Sequence, residues 1–174
     1  RAGQAMPQVA ATVLYSEGFE VAELAQLGAW WNFADTYRGQ VSASSARAHG
    51  GTGSMALWAN SSYGTADAEM TADLTPGGVP LSGVTLDFWA NEYADNGTLT
   101  VDWSVDGSNW RTVLTTADTG GGWRHFSVNL DADRAAAGWS YGGRTRLRFR
   151  QTSPSWTATG FAVDDVRLAA GGTL

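Results

Sequence analysis

Short runs of alternating apolar and polar residues recur along this chain, each bounded by glycine, asparagine, aspartate or proline. In Val84-Thr85-Leu86-Asp87-Phe88-Trp89-Ala90, residues Val84, Leu86, Phe88 and Ala90 fall on one side of an extended backbone. Thr85, Asp87, Trp89 and the following Asn91 fall on the other. That period of two predicts a strand with one buried face. Leu99 to Val105 repeats the pattern, and the turn residues Asp106-Gly107-Ser108-Asn109 then lead into Trp110 to Leu114, which predicts an antiparallel hairpin. Similar runs lie at Ala68 to Leu74, ahead of a Pro76-Gly77-Gly78 turn, at Phe126 to Leu130 and at Arg146 to Arg150. Helical signals are confined to Ala22 to Gln26 and to Ala132 to Ala137, the latter followed by Gly138 as a C-cap. Many short strands without a long helix predict an all-β sandwich or barrel.

Residues 1–12 lack periodicity and read as a linker or the tail of a preceding module. Residues 13–170 read as a single domain, and residues 171–174 as a short tail. Within the domain, Met55 to Asn60 echoes Leu86 to Asn91. The shared alternation sends Leu57 and Phe88 toward one layer and Trp58 and Trp89 to the opposite face.

Composition then removes whole classes of function. The 174 residues include no cysteine, which excludes a disulfide framework, a thiolate zinc site and a cysteine nucleophile. A net charge of −6 argues against nucleic acid, whose phosphates call for clustered basic residues. No apolar run approaches the roughly 20 residues of a membrane span. The two histidines, His49 and His125, are far apart and belong to no HExxH or GxSxG signature. The few glutamates form no alternating carboxylate cluster, so the isolated domain reads as non-catalytic.

Aromatic residues carry the clearest candidate chemistry. Trp58, Trp89 and Tyr93 lie opposite the apolar residues of their own strands, where exposed rings would stack on the apolar faces of sugars. Asp87, Asn91, Asn60 and Asp102 would bond the hydroxyls. The competing reading buries these rings under covering loops. Trp103 and Trp123 are assigned to the core, Trp110 to the sandwich edge, and Trp30 and Trp31 to a loop contact or an end plug. Arg146, Arg148 and Arg150 form a one-sided row that either grips an acidic group or, as favoured here, pairs with Asp87 and Asp102 on neighbouring strands. Asp106 is expected to bond the backbone of its own turn.

Six stretches occur in a suggestive order. They are Gly18-Phe19-Glu20, Gly50-Gly51-Thr52-Gly53-Ser54, Leu86-Asp87-Phe88-Trp89, Ser104 to Trp110, Gly122-Trp123, and Gly160 to Leu168. The set resembles the MAM-like jelly-roll modules of secreted bacterial proteins, which are related in shape to jelly-roll carbohydrate-binding modules. The resemblance implies a two-layer antiparallel β-sandwich (jelly roll) and an extracellular accessory role beside a catalytic module of the same polypeptide. The implied ligand is a polysaccharide or glycoprotein surface, with neither nucleic acid nor membrane as partner. The rival implication is a protein-interaction or stabilising domain of a secreted protease or adhesin. It further implies a structural calcium ion held by Glu20, by carbonyls around Gly50 and Thr52, and by Asp164 or Asp165. That donor set suits a cation that prefers oxygen. Glu17 leaves the first carboxylate open. Adjacent strand residues point to opposite faces, so only one of Asp164 and Asp165 reaches the ion unless a bulge intervenes.

Overall fold

The rings of Phe88 and Phe149 meet edge to face, 5.0 Å between centroids, across the interior of two stacked antiparallel sheets. A computed structural model describes residues 12–28, 30–35, 38–59, 64–94, 97–117, 119–153 and 159–173. The strands are β1 (Thr12–Glu17), β2 (Trp31–Asp35), β3 (Gly39–Ser44), β4 (Ser54–Ala59), β5 (Thr65–Ala72), β6 (Leu81–Ser82) and β7 (Thr85–Ala94). They continue with β8 (Thr98–Ser104), β9 (Arg111–Thr116), β10 (Arg124–Asn129), β11 (Thr145–Thr152), β12 (Thr159–Ala170) and β13 (Gly172–Thr173). One sheet runs β10-β7-β12-β4-β3, with β1 also paired to β12, and the other runs β2-β5-β11-β8-β9. The fold is the two-layer antiparallel sandwich that the family resemblance implied, one of the two all-β outcomes that the alternation allowed.

Strand β12 organises the first sheet. Its first half, Thr159 to Val163, pairs with β4, and its second half, Val166 to Ala170, pairs with β1. Its other edge follows β7 along its whole length, with a break in register between Asp164 and Arg167. That bulge re-aims the acidic doublet at the sheet's outer side.

Between the sheets, the inward members of each alternating run close into one apolar cluster that includes Leu57, Leu86, Phe88, Val101, Trp103, Leu147, Phe149, Phe161 and Val163. Burying one such side chain stabilises the fold by roughly 1.5–3 kcal/mol. The helix α1 (Leu130–Ala137) begins at Asn129, whose side chain accepts from the Ala132 amide, and ends at Gly138 in the left-handed conformation. Asp133 fastens this helix to the sandwich by accepting from the buried indole of Trp103 and, bidentately, from Arg111.

Several expectations need correction. Trp31 is neither a loop contact nor an end plug: it opens β2, is 6% exposed and stacks on Phe33. The Ala22 to Gln26 signal becomes a single 3-10 turn at Leu24–Leu27. The final residues do not simply trail away, because Gly172 and Thr173 pair with Ser82 and Leu81. Residues 1–11, and with them most of the expected linker, lie outside the described residues.

Candidate functional site

Residues from both ends of the domain meet on one glycine loop. Glu20, just after β1, accepts from the Thr52 amide and hydroxyl and from the Gly53 amide. These donors, with the Thr52 amide first, hold its carboxyl below the usual range. Asp164, fully buried in β12, accepts from the amides of His49 and Gly50 through Oδ2 and from the Asp165 amide through Oδ1. Burial pushes its carboxyl up nonetheless. Asp165 sits in the bulge at φ 49° and reaches the His49 ring, Oδ2 to Nδ1 at 2.6 Å. The bulge thus brings both adjacent carboxylates to the same loop. A Cβ on Gly50 would lie 2.8 Å from Asp165 Oδ2, and one on Gly51 would collide with the Glu20 carboxylate. The loop's glycines make room for both acids. Glu17 is occupied elsewhere, accepting from the Phe19 amide and the Tyr15 hydroxyl.

The donor set around this loop consists of carboxylate and peptide oxygens, which suits a hard cation. Among the described residues, no three His, Asp or Glu side chains converge closely enough to hold a metal by themselves. A cation here would need backbone carbonyls as well. Phe19 and Asp165, two of the three non-glycine residues with positive φ among those described, flank the loop. Such strain costs on the order of 1–3 kcal/mol each and persists where the surroundings enforce it.

The five residues expected to hold a sugar, Trp58, Trp89, Tyr93, Asp87 and Asn91, all belong to the β4–β12–β7 part of the first sheet. Trp58 and Trp89 do not sit side by side. Trp58 is opposite Gly160 and Trp89 opposite Asp164, about 13 Å apart along β12. The loop that carries the cradle covers two of the rings. His49 lies parallel on Trp89, with His125 and Trp123 close by, and Arg47 sits 4.0 Å over the Tyr93 ring. Tyr93 itself lies against Gly160, where any side chain would displace it. Asp87 faces His125, Oδ1 to Nε2 at 3.0 Å. Asn60 lies outside the described residues.

The arginine row occupies the opposite sheet, on the side facing away from Leu147 and Phe149. Arg150 makes a two-pronged contact with Asp67 on β5, 2.7 Å at each prong. Arg148 donates to Asp102 on β8, and Arg146 approaches Glu69 on β5 at 3.9 Å. Asp87 is not a partner, because β7 belongs to the other sheet. Asp102 is, as expected. Asp67 and Asp102 are only 6% and 3% exposed, so the carboxylates lie beneath the guanidinium groups. At the edge of this row the indole of Trp110 stacks on Arg148 at 4.0 Å. Trp110 is presented by the Asp106 turn, in which Asp106 accepts from the amides of Ser108 and Asn109. Alternation placed the arginines on one face, but their acidic partners on β5 could be found only from the strand pairing.

No family model and no curated protein matches the chain. Solved structures of carbohydrate-binding modules do share its fold. A family 61 module, TmCBM61, in complex with β-1,4-galactotriose matches with a TM-score of 0.54 at 20% identity, over 87% of this chain and 93% of that one. The CBM22-1 xylan-binding domain of Paenibacillus barcinonensis Xyn10C matches with a TM-score of 0.57 at 15% identity, over 95% of this chain and 98% of that one. The joined CBM22-1 and GH10 modules of Clostridium thermocellum endo-1,4-β-D-xylanase 10B, complexed with xylohexaose, match at 0.55 and 17% identity, over 90% of this chain and 28% of that one. At such identities the likeness is one of fold.

Proposed function

We propose that this domain is a non-catalytic polysaccharide-binding module, clamped by a structural calcium ion, that offers the outer face of the β2-β5-β11-β8-β9 sheet to an uncharged glycan. The observation that carries this reading is the set of guanidinium–carboxylate pairs laid side by side across β5, β11 and β8, with Trp110 at its margin. A glycan surface needs rigid donors and acceptors at close spacing beside an aromatic face. Arg150 spends two of its five N–H groups on Asp67, so the others stay available in a fixed orientation. Each arginine has an acidic partner, so the row carries no excess charge to attract a uronate. The galactan and xylan ligands of the fold's neighbours support the ligand class. The aromatic row of the other sheet serves mainly to seat the His49 loop.

In this reading Glu20 and Asp165 hold calcium together with carbonyl oxygens of the Gly50–Gly53 loop, while Asp164 secures the loop through its amides. The ion supplies positive charge between acids drawn from both ends of the domain, where calcium accepts about six to eight oxygens. It takes the clamping role that disulfides play in other secreted domains. The motif order described above supports an extracellular setting, and the xylanase neighbour, with its attached GH10 module, supports a catalytic companion. Among the described residues no helix is long and apolar enough to cross a membrane.

Co-sedimentation with insoluble xylan and β-1,4-galactan tests the function, with polygalacturonate as the acidic control. Retention on a neutral polymer that persists at high salt is expected. Binding to polygalacturonate alone, or to none, contradicts the reading. For calcium, the expected result is a thermal midpoint lowered by EDTA. Coincident midpoints, with no metal left after dialysis, contradict it.

A further inference from the structure

Four large apolar side chains stand exposed among the described residues: Val13, Leu14, Trp30 and Val79. Leu14 and Trp30 line a single cavity of about 170 Å³, shared with Tyr15, Met70, Asp73 and Pro76. Trp30 is 52% exposed, yet its backbone is fixed, since its carbonyl accepts from the Thr71 amide on β5 at 2.9 Å. Asp73 is fixed too. Its Oδ1 accepts from the Thr75 amide at 2.9 Å and from the Thr75 hydroxyl, and its Oδ2 has no protein partner among the described residues.

This combination restricts what fits. An aliphatic side chain from a partner protein would cover the indole but strip water from a carboxylate without replacing its hydrogen bonds. Drug-sized ligands occupy pockets of about 300–1,000 Å³, so the space admits roughly one ring. A pyranose meets both demands, with an apolar C–H face for the indole and hydroxyl donors on its rim for Asp73. We infer that this cavity is a second sugar site, which takes a single pyranose ring with Trp30 as its stacking platform and Asp73 as its hydroxyl acceptor.

The site lies at the edge of the sheet opposite Trp110, where Thr71 of β5 also lines it. Trp30 immediately precedes β2 and Trp110 immediately precedes β9, the two edge strands of one five-stranded sheet, about 19 Å apart at ordinary strand spacing. One glycan chain, or two neighbouring chains, would engage both points and gain avidity without new contacts. The inference shares with the proposed function only the premise that the ligand is a sugar.

Indole N–H resonances of the ¹⁵N-labelled domain test it, assigned through Trp30→Phe and Trp110→Phe. The probes are the methyl pyranosides of xylose, galactose, glucose and mannose, together with xylohexaose and β-1,4-galactotriose. At least one methyl pyranoside should shift the Trp30 resonance saturably, and Asp73→Asn should weaken that response tenfold or more. A Trp30 signal that no pyranoside moves overturns the second site, as does an Asp73→Asn response within twofold of the unmodified protein. If Trp110 responds to an oligosaccharide while Trp30 is silent, the sheet-face function stands and this inference fails. If Trp30 responds and Trp110 does not, the second site stands and the sheet face fails.

Discussion

The imidazole of His49 lies parallel to the indole of Trp89, 3.8 Å between ring centroids and 14° between planes, while its Nδ1 meets Asp165. One side chain therefore connects the proposed cation cradle to the aromatic row of the first sheet. An aromatic pair of this kind contributes about 0.5–1.5 kcal/mol beyond burial. His49→Ala should lower the thermal midpoint by about 2–4 °C, the shift that about 1 kcal/mol produces in a domain of this size. It should also raise acrylamide quenching of tryptophan fluorescence, because Trp89 loses its cover. His49→Phe, which keeps the stack and loses the acid contact, should restore the shielding of Trp89.

Gly51 has no tolerance for a side chain. Its φ of 62° and the Glu20 carboxylate at the place a Cβ would take both penalise alanine. Gly51→Ala should cost about 1–3 kcal/mol, measurable by chemical denaturation. Glu20→Ala removes the same obstruction along with the acid. The double variant should therefore be less destabilised than the sum of the singles, a coupling expected only of residues that share one contact.

Acid should loosen the helix and hairpin anchors before the core. The bidentate Arg111 contact holds the Asp133 carboxyl below its usual range, with the Trp103 indole adding to the effect. Amides of its own turn, led by that of Asn109, hold Asp106 well below it. For an acid depressed in the folded state, the unfolded chain binds more protons at low pH. The stability that Asp133 and Asp106 contribute is thus complete above the unfolded value of about 4 and disappears as pH falls through the folded values. The stability difference between the unmodified protein and Asp133→Asn should be largest near neutrality and shrink steadily below about pH 4. Both groups are partly solvated, so salt should reduce the difference.

The Arg150–Asp67 pair allows a direct double-mutant cycle. Asp67→Asn leaves a guanidinium without its carboxylate on a half-covered face, at an expected cost of about 1–2 kcal/mol after allowing for solvent screening. Asp67→Asn combined with Arg150→Gln should recover part of that loss in urea denaturation.

Sequence alone revealed the layer structure well and the sites unevenly. The alternation of Val84 to Ala90 and Leu99 to Val105 survives in β7 and β8 because one face of each is buried, which is the condition under which period two is informative. β2 and β3 carry no such signal, since the short edge strands around Trp31 and Val41 mix exposed and buried residues without clean alternation. The family resemblance named Glu20, Asp164 and Asp165 together with the loop at Gly50 and Thr52, and all three acids do contact that loop. The division of labour within the doublet was not legible, because it depends on a bulge that has no local sequence signal. Alternation puts Trp89 and Tyr93 on an outward face, but nothing near them in the sequence shows that His49 and Arg47, 40 and 46 residues earlier, lie over them. The partners of the arginine row were hidden likewise: Asp67 and Glu69 become its neighbours only once β5 is placed beside β11.

Affinity electrophoresis through gels containing soluble xylan or β-1,4-galactan, comparing the domain with its Trp110→Ala variant, tests the central claim most directly. The account predicts that at least one neutral polysaccharide retards the unmodified domain and that Trp110→Ala, with its thermal midpoint preserved, is retarded clearly less, keeping at most the weaker hold of the Trp30 site. Equal retardation of the two proteins, or free migration of the unmodified domain in both gels, would contradict it.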